Sequence, residues 1–162
     1  MTSYSLDKWA KMIQTATPTA LLDVRHLVAF VLGKSIHEIG LCASLNPEQE
    51  VQLRQYIKRR LEGEPIAYII GQWDFYGLTL QLNRHTLIPR PETEQLVDAV
   101  LANDSLVRTR LLEVVDLGTG SGAIALALAS QRPKWSFTAI DNNLAALACA
   151  QENFQLQSWQ HD

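Results

Sequence analysis

Between residues 116 and 141 the sequence sets glycines and carboxylates at spacings that could hold a nucleoside-like ligand. Gly118-Thr119-Gly120-Ser121-Gly122 follows the apolar run LLEVVDL at residues 111–117 and precedes the small, aliphatic AIALALAS at residues 123–130. Such glycines let the backbone turn sharply and bring bare amides close to a ligand, and the N-terminus of the helix that follows favours a negative group. Asp141 lies nineteen positions beyond Gly122, at the tip of a strand expected over residues 135–140, where an acid can accept both hydroxyls of a ribose. An adenosine-containing cofactor is implied.

Gly118-x-Gly120-x-x-Ala123 formally satisfies the dinucleotide fingerprint, so a nicotinamide-dependent dehydrogenase stays open on the pattern. Asp116, two residues before the first glycine, argues against it, because a diphosphate beside that carboxylate would be repelled. S-adenosylmethionine has no diphosphate and carries an amino group, so the charge logic favours it. Asp141 could instead serve only as a helix N-cap for the residues from 142 onward.

The elements that must position these groups are legible upstream and downstream. LLEVVDL suits a parallel strand covered on both faces by helices, and a helix carrying Leu144, Leu147, Ala148 and Phe154 should follow Asp141. Pro91 is the expected first residue of a helix with Glu92 and Glu94 in its first turn and a stripe of Leu96, Val97, Val100 and Leu101, ending near Asn103. Before it, Leu78, Leu80 and Leu82 alternate with polar residues after a Tyr76-Gly77 turn, which predicts a hairpin.

The first 71 residues read as a helical bundle. Leu6, Trp9, Ala10 and Ile13 fall on one face of a helix over residues 5–15. Thr17-Pro18 opens a second helix with the stripe Leu21, Val24, Val28 and Leu32 and a stop at Gly33. Asn46-Pro47 opens a third, ending ahead of Gly63, and a short helix from Pro65 closes at Gly71. Arg54, Lys58, Arg59 and Arg60 could dock an acidic partner, although basic residues at a helix C-terminus are the plainer reading. His26 and His37 lack a second ligand type at helical spacing, so no metal site and no catalytic residue is assigned.

The whole chain, 162 residues with 47% hydrophobic and 19% charged, suits one domain or two small ones and excludes disorder. Net charge is -3, and it is uneven: ten basic and eight acidic residues up to Arg90 (+2), against four and nine beyond it (-5). A field of that sign opposes nucleic acid and anionic membrane. Cys42 and Cys149 sit among apolar or small neighbours, as buried thiols in a reducing compartment would, and the start has neither a signal nor a transit pattern. A cytoplasmic protein is the expectation.

DLGTGSGAIALALA resembles motif I of class I S-adenosylmethionine-dependent methyltransferases. With LIPRPETE at residues 87–94, the hairpin, and GEPIAYIIG at residues 63–71 within the helical segment, the chain resembles the family that methylates a glutamine in peptide chain release factors. The resemblance implies an α/β fold: a helical substrate-recognition domain over residues 1–71, a hairpin and linker over 72–90, and the start of a Rossmann-like methyltransferase domain over 91–162. It implies S-adenosyl-L-methionine as cofactor and a release factor's Gly-Gly-Gln glutamine as substrate. Gly118, Thr119, Gly120, Ser121 and Gly122 would line the cofactor's methionine end and Asp141 would take the ribose, while the helical domain and Arg90 would seat the release factor. The family's Asn-Pro-Pro-Tyr motif, which orients the amide nitrogen, does not occur in these residues. The expectation is therefore an N-terminal portion of a longer enzyme, inactive and weak in cofactor binding by itself. Other readings are a methyltransferase for a ribosomal-protein glutamine or a nucleic-acid amine, the dehydrogenase, or a non-catalytic module that docks a release factor.

Overall fold

The computed structural model describes residues 2–103 and 111–157. It divides into two compact units between Ile70 and Gly71. Among the described residues no helix is long and apolar enough to cross a membrane.

In the first unit, α1 (Leu6–Ile13), α2 (Ala20–Leu32), α3 (Pro47–Leu61) and α4 (Ile66–Ile70) surround a core that includes Leu6, Trp9, Ile13, Val24, Leu27, Val28, Leu53 and Ile57. Gly33 ends α2 at φ 62°, and Asn46 opens α3 in a reciprocal capping box with Gln49, both ends as the sequence predicts. Helix α2 starts later than expected. Thr19 N–H donates to Thr17 Oγ1 (3.2 Å) and Thr19 Oγ1 donates to Asp23 Oδ1 (2.9 Å), so side-chain bonds hold Pro18 in the turn before the helix. Leu21 faces outward, and Leu27 takes its place in the buried stripe.

The periodicity of the first half did not reveal a strand pair. Strands β1 (Thr2–Ser5) and β2 (Cys42–Leu45) pair antiparallel, from Thr2 opposite Leu45 to Ser5 opposite Cys42. Along β2, Ala43 and Leu45 turn inward while Cys42 and Ser44 turn outward. The expectation of two buried thiols is therefore corrected: Cys42 is exposed and Cys149 is buried. Three of the four basic residues of α3 are engaged within the unit. Arg54 pairs with Glu50 and stands 4.9 Å from the Trp9 ring centre, Arg59 bonds Glu64 and two carbonyls of α4, and Arg60 pairs with Asp23. The docking-patch reading is left with little free charge.

In the second unit, β3 (Gln72–Phe75) and β4 (Leu78–Gln81) form the hairpin, α5 spans Pro91–Leu101, and β5 (Glu113–Leu117), α6 (Ala123–Gln131), β6 (Ser136–Ile140) and α7 (Leu144–Leu156) follow. Tyr76 and Gly77 both take left-handed conformations, φ 51° and 75°, the pair that a two-residue hairpin turn of matching twist requires. A carboxylate holds this turn in place: Glu94 Oε1 accepts from Tyr76 N–H (2.8 Å), while Tyr76 O–H donates to Asp98 (2.8 Å). The bond to Asp98 raises the Tyr76 pKa, because losing the proton would set two anions face to face. Glu94→Ala should cost roughly 1–2 kcal/mol, since it strands an amide that a charged acceptor now satisfies. Thermal unfolding followed by circular dichroism checks this, and an unchanged midpoint would mean that water replaces the carboxylate freely.

The hairpin packs into the unit's core, where Phe75 and Leu80 join Val97, Ala123, Leu126, Ala127 and Leu128. Strands β5 and β6 are parallel, with Glu113 opposite Ser136 and Leu117 opposite Ile140. The two-sided helical cover that such a run suits is present on one face only among the described residues. Phe137, on one face, packs against the core cluster. The other face leaves Val115 57%, Leu117 76% and Ile140 45% exposed. A parallel strand's apolar run records the cover that the complete sheet needs, and these residues supply only one side of it.

Candidate functional site

Strand β5 runs directly into the glycine turn. Gly118, Gly120 and Gly122 take φ values of 75°, 58° and 80°, a region that side chains rarely enter, and Gly122 is also the N-cap of α6. The turn is fastened to the end of β6: Gly118 N–H and Thr119 N–H both donate to the Ile140 carbonyl, at 2.7 and 2.9 Å. Gly122 N–H closes back onto the Thr119 carbonyl (2.9 Å). Among the described residues a Cβ at Gly118 or Gly120 would meet nothing within 4 Å, so these two positions face open space there. At Gly122 a Cβ would stand 3.2 Å from Phe154 Cε2 and 3.4 Å from Ala150 Cβ, because α7 backs the turn closely there.

Two carboxylates bond to this turn. Asp116 accepts from Thr119 Oγ1 (2.8 Å). Asp141 accepts from Gly120 N–H through Oδ2 and from Asn143 N–H through Oδ1, both at 2.9 Å. The Asn143 amide first, and the Gly120 amide next, hold the Asp141 carboxyl below the usual carboxylate range, since both bonds favour the ionised form. The cap of α7 is Asn143, whose Oδ1 accepts from Ala145 N–H (2.9 Å), so Asp141 stands ahead of the helix and belongs to the turn. All six residues singled out for cofactor binding are thus neighbours along one strand-turn-helix-strand unit.

A depressed carboxyl contributes to order above its ordinary value and loses that contribution as pH falls through the lower folded value. The Gly120 amide resonance should therefore be steady near neutrality and should titrate with a midpoint below about 4, the unperturbed aspartate value. A midpoint at or above that value, read from nitrogen–proton correlation spectra, would show that the two amides do not favour the anion.

The sequence reading missed Asn153. Its side chain is fully buried on α7, donates from Nδ2 to the carbonyls of Ser121 and Gln81 (2.9 Å each), and accepts from Gln81 N–H at Oδ1 (2.6 Å). The one available signal was its place on the stripe Ala146, Cys149, Ala150, Asn153, where a polar residue interrupts small, apolar ones. Nearby Cys149 has its thiol pKa raised by burial and donates to the Gln81 carbonyl (3.2 Å), which makes it inert packing.

A parallel strand, a glycine turn, a helix and a second strand tipped by an acid define the opening of a Rossmann-like domain. Its class is that of methyltransferases: residues 93–161 match the methyltransferase small domain. Residues 5–71 match the PrmC N-terminal domain. The chain is 46% identical over 146 residues to the release factor glutamine methyltransferase of Coxiella burnetii, a match covering 89% of this chain and 52% of that protein. It is 50% identical over 122 residues to that of Streptococcus pneumoniae (75% of this chain, 43% of the relative) and 39% identical over 149 residues to that of Shewanella oneidensis (90% and 51%). The chain belongs to the release factor glutamine methyltransferase family, and it spans about half the length of the curated relatives it matches.

Proposed function

We propose that this chain carries the cofactor cradle of an S-adenosylmethionine-dependent methyltransferase that acts on the glutamine side-chain nitrogen of peptide chain release factors. The observation that carries the reading is the Asp141 carboxylate bonded to the Gly120 amide, with Asp116 bonded to the Thr119 hydroxyl of the same turn. Two carboxylates beside the turn favour a ligand that brings an ammonium group over one that brings a diphosphate. The match of residues 93–161 to a methyltransferase domain favours the same ligand over a dinucleotide.

The residues present fit that cofactor. Gly118 to Gly122 would offer backbone to its methionine end, Asp116 would face its ammonium, and Asp141 would accept the ribose hydroxyls. When bound, the sulfonium supplies an electrophilic methyl group. The chain's own contribution would be to fix that group's direction, through the bonds that tie the turn to the Ile140 carbonyl and to Asp141. An amide nitrogen is a poor nucleophile because its lone pair is delocalised, so the reaction depends on orientation and on acceptors for the amide hydrogens. The Asn-Pro-Pro-Tyr string that would supply those acceptors is not among the 162 residues. The helical unit and Arg90 would help to seat the release factor.

Titration of this chain with S-adenosylmethionine and with NAD, followed by turn amide resonances, tests the reading. The sulfonium compound should shift the resonances of Gly118 to Gly122 with affinity weaker than micromolar, and NAD should not. Preferential binding of NAD would overturn it. In a methylation assay with a release factor, the 162 residues alone should give no sustained product, and steady turnover would show that the acceptors are supplied from within this chain.

A further inference from the structure

Asn153 stands where three elements converge, and both hydrogens and the oxygen of its carboxamide are engaged. One acceptor takes Gln81 N–H (2.6 Å) and two donors reach Gln81 and Ser121 carbonyls (2.9 Å each), at 0% exposure. The two bonds to Gln81 engage the N–H and C=O of β4 that do not face β3, so the side chain pairs with the strand as a neighbouring peptide would. Its remaining hydrogen goes to the carbonyl between Gly120 and Gly122, inside the cradle. Only a primary carboxamide offers this set: aspartate has no donor when ionised, serine has one, and leucine has none.

We infer that Asn153 is the positioning residue of the cofactor turn, tying the Ser121 carbonyl to β4 and so keeping Gly118 to Gly122 shaped for the ligand. This rests on reading the turn as the cofactor cradle. Asn153 touches no reacting atom; it acts through the backbone of Ser121. The bonds of Gly118 and Thr119 to the Ile140 carbonyl and of Gly120 to Asp141 tie the turn to the end of β6, whereas toward α7 the contacts of Gly122 with Phe154 and Ala150 carry no direction, and Asn153 supplies the directional bond on that side.

Amide hydrogen exchange of the 162-residue chain, resolved residue by residue, tests this with Asn153→Leu and Asn153→Ser. The amides of Gly118, Thr119, Gly120 and Gly122 should exchange at least tenfold faster in either variant. Those of Leu126, Ala127 and Leu128 in α6 should change less than threefold. S-adenosylmethionine should bind the variants at least tenfold more weakly than the parent. Any exchange pattern lacking selective loosening of the turn in both variants, whether no change or an even loss across the second unit, overturns the proposal. Selective loosening in a chain whose parent form ignores S-adenosylmethionine would keep the hold of Asn153 on the turn and remove the cofactor reading instead.

Discussion

Leu126→Ala is expected to lower the stability of the second unit by about 2–5 kcal/mol, the usual range for emptying a fully buried leucine site. Leu126 is completely buried among Phe75, Leu80, Val97 and Ala127, so the hairpin, α5 and α6 all lose a packing partner at once. Small surrounding residues cannot swing in to fill the space: Ala123, Ala125 and Ala127 have no side-chain rotamers to change. A typical domain has only about 5–15 kcal/mol in total, and the described residues of this one leave a sheet face uncovered, so the loss is a large share. Urea unfolding gives the measurement. A loss under about 1 kcal/mol, the scale of a single methylene, would mean that the cluster is not the unit's core.

Arg60→Ala is expected to cost the first unit about 2–4 kcal/mol, between the value of an exposed ion pair and that of a buried one. Arg60 Nε lies 2.7 Å from Asp23 Oδ2, with the two side chains only 15% and 9% exposed. The other oxygen of Asp23 accepts from Thr19 Oγ1, so the carboxylate is tied to the start of α2 and cannot turn out to water without undoing that cap-like contact. Removing the guanidinium strands the charge. Replacing both partners, Asp23→Leu with Arg60→Leu, should restore most of the loss, because no uncompensated ion then remains. Equal melting points for the single and double variants would show that the cost comes from lost packing of the arginine stem.

The readable parts of this molecule share one property: each was determined within a few residues. Gly33 and the Asn46-Pro47 pair mark helix ends because their caps are closed by neighbours three or four positions away. Tyr76-Gly77 marks the hairpin by the same logic, and the glycine turn between a branched run and an alanine-rich helix marks the cradle. The late start of α2 was not readable from Pro18 alone, since the Thr17, Thr19 and Asp23 bonds compete with the helix for those residues.

By itself, then, the sequence determined the helix caps, the hairpin turn, the parallel strand-turn-helix order and the place of Asp141 at a strand tip. Only the tertiary structure decided that Thr2–Ser5 pairs with Cys42–Leu45, that Arg60 meets Asp23, that Asn153 joins Gln81 to Ser121, and which face of β5 and β6 the described residues leave bare. The physical reason is distance along the chain. Period and capping are written in contacts between near neighbours, whereas these features are made by groups tens of residues apart, whose meeting depends on how every intervening element packs.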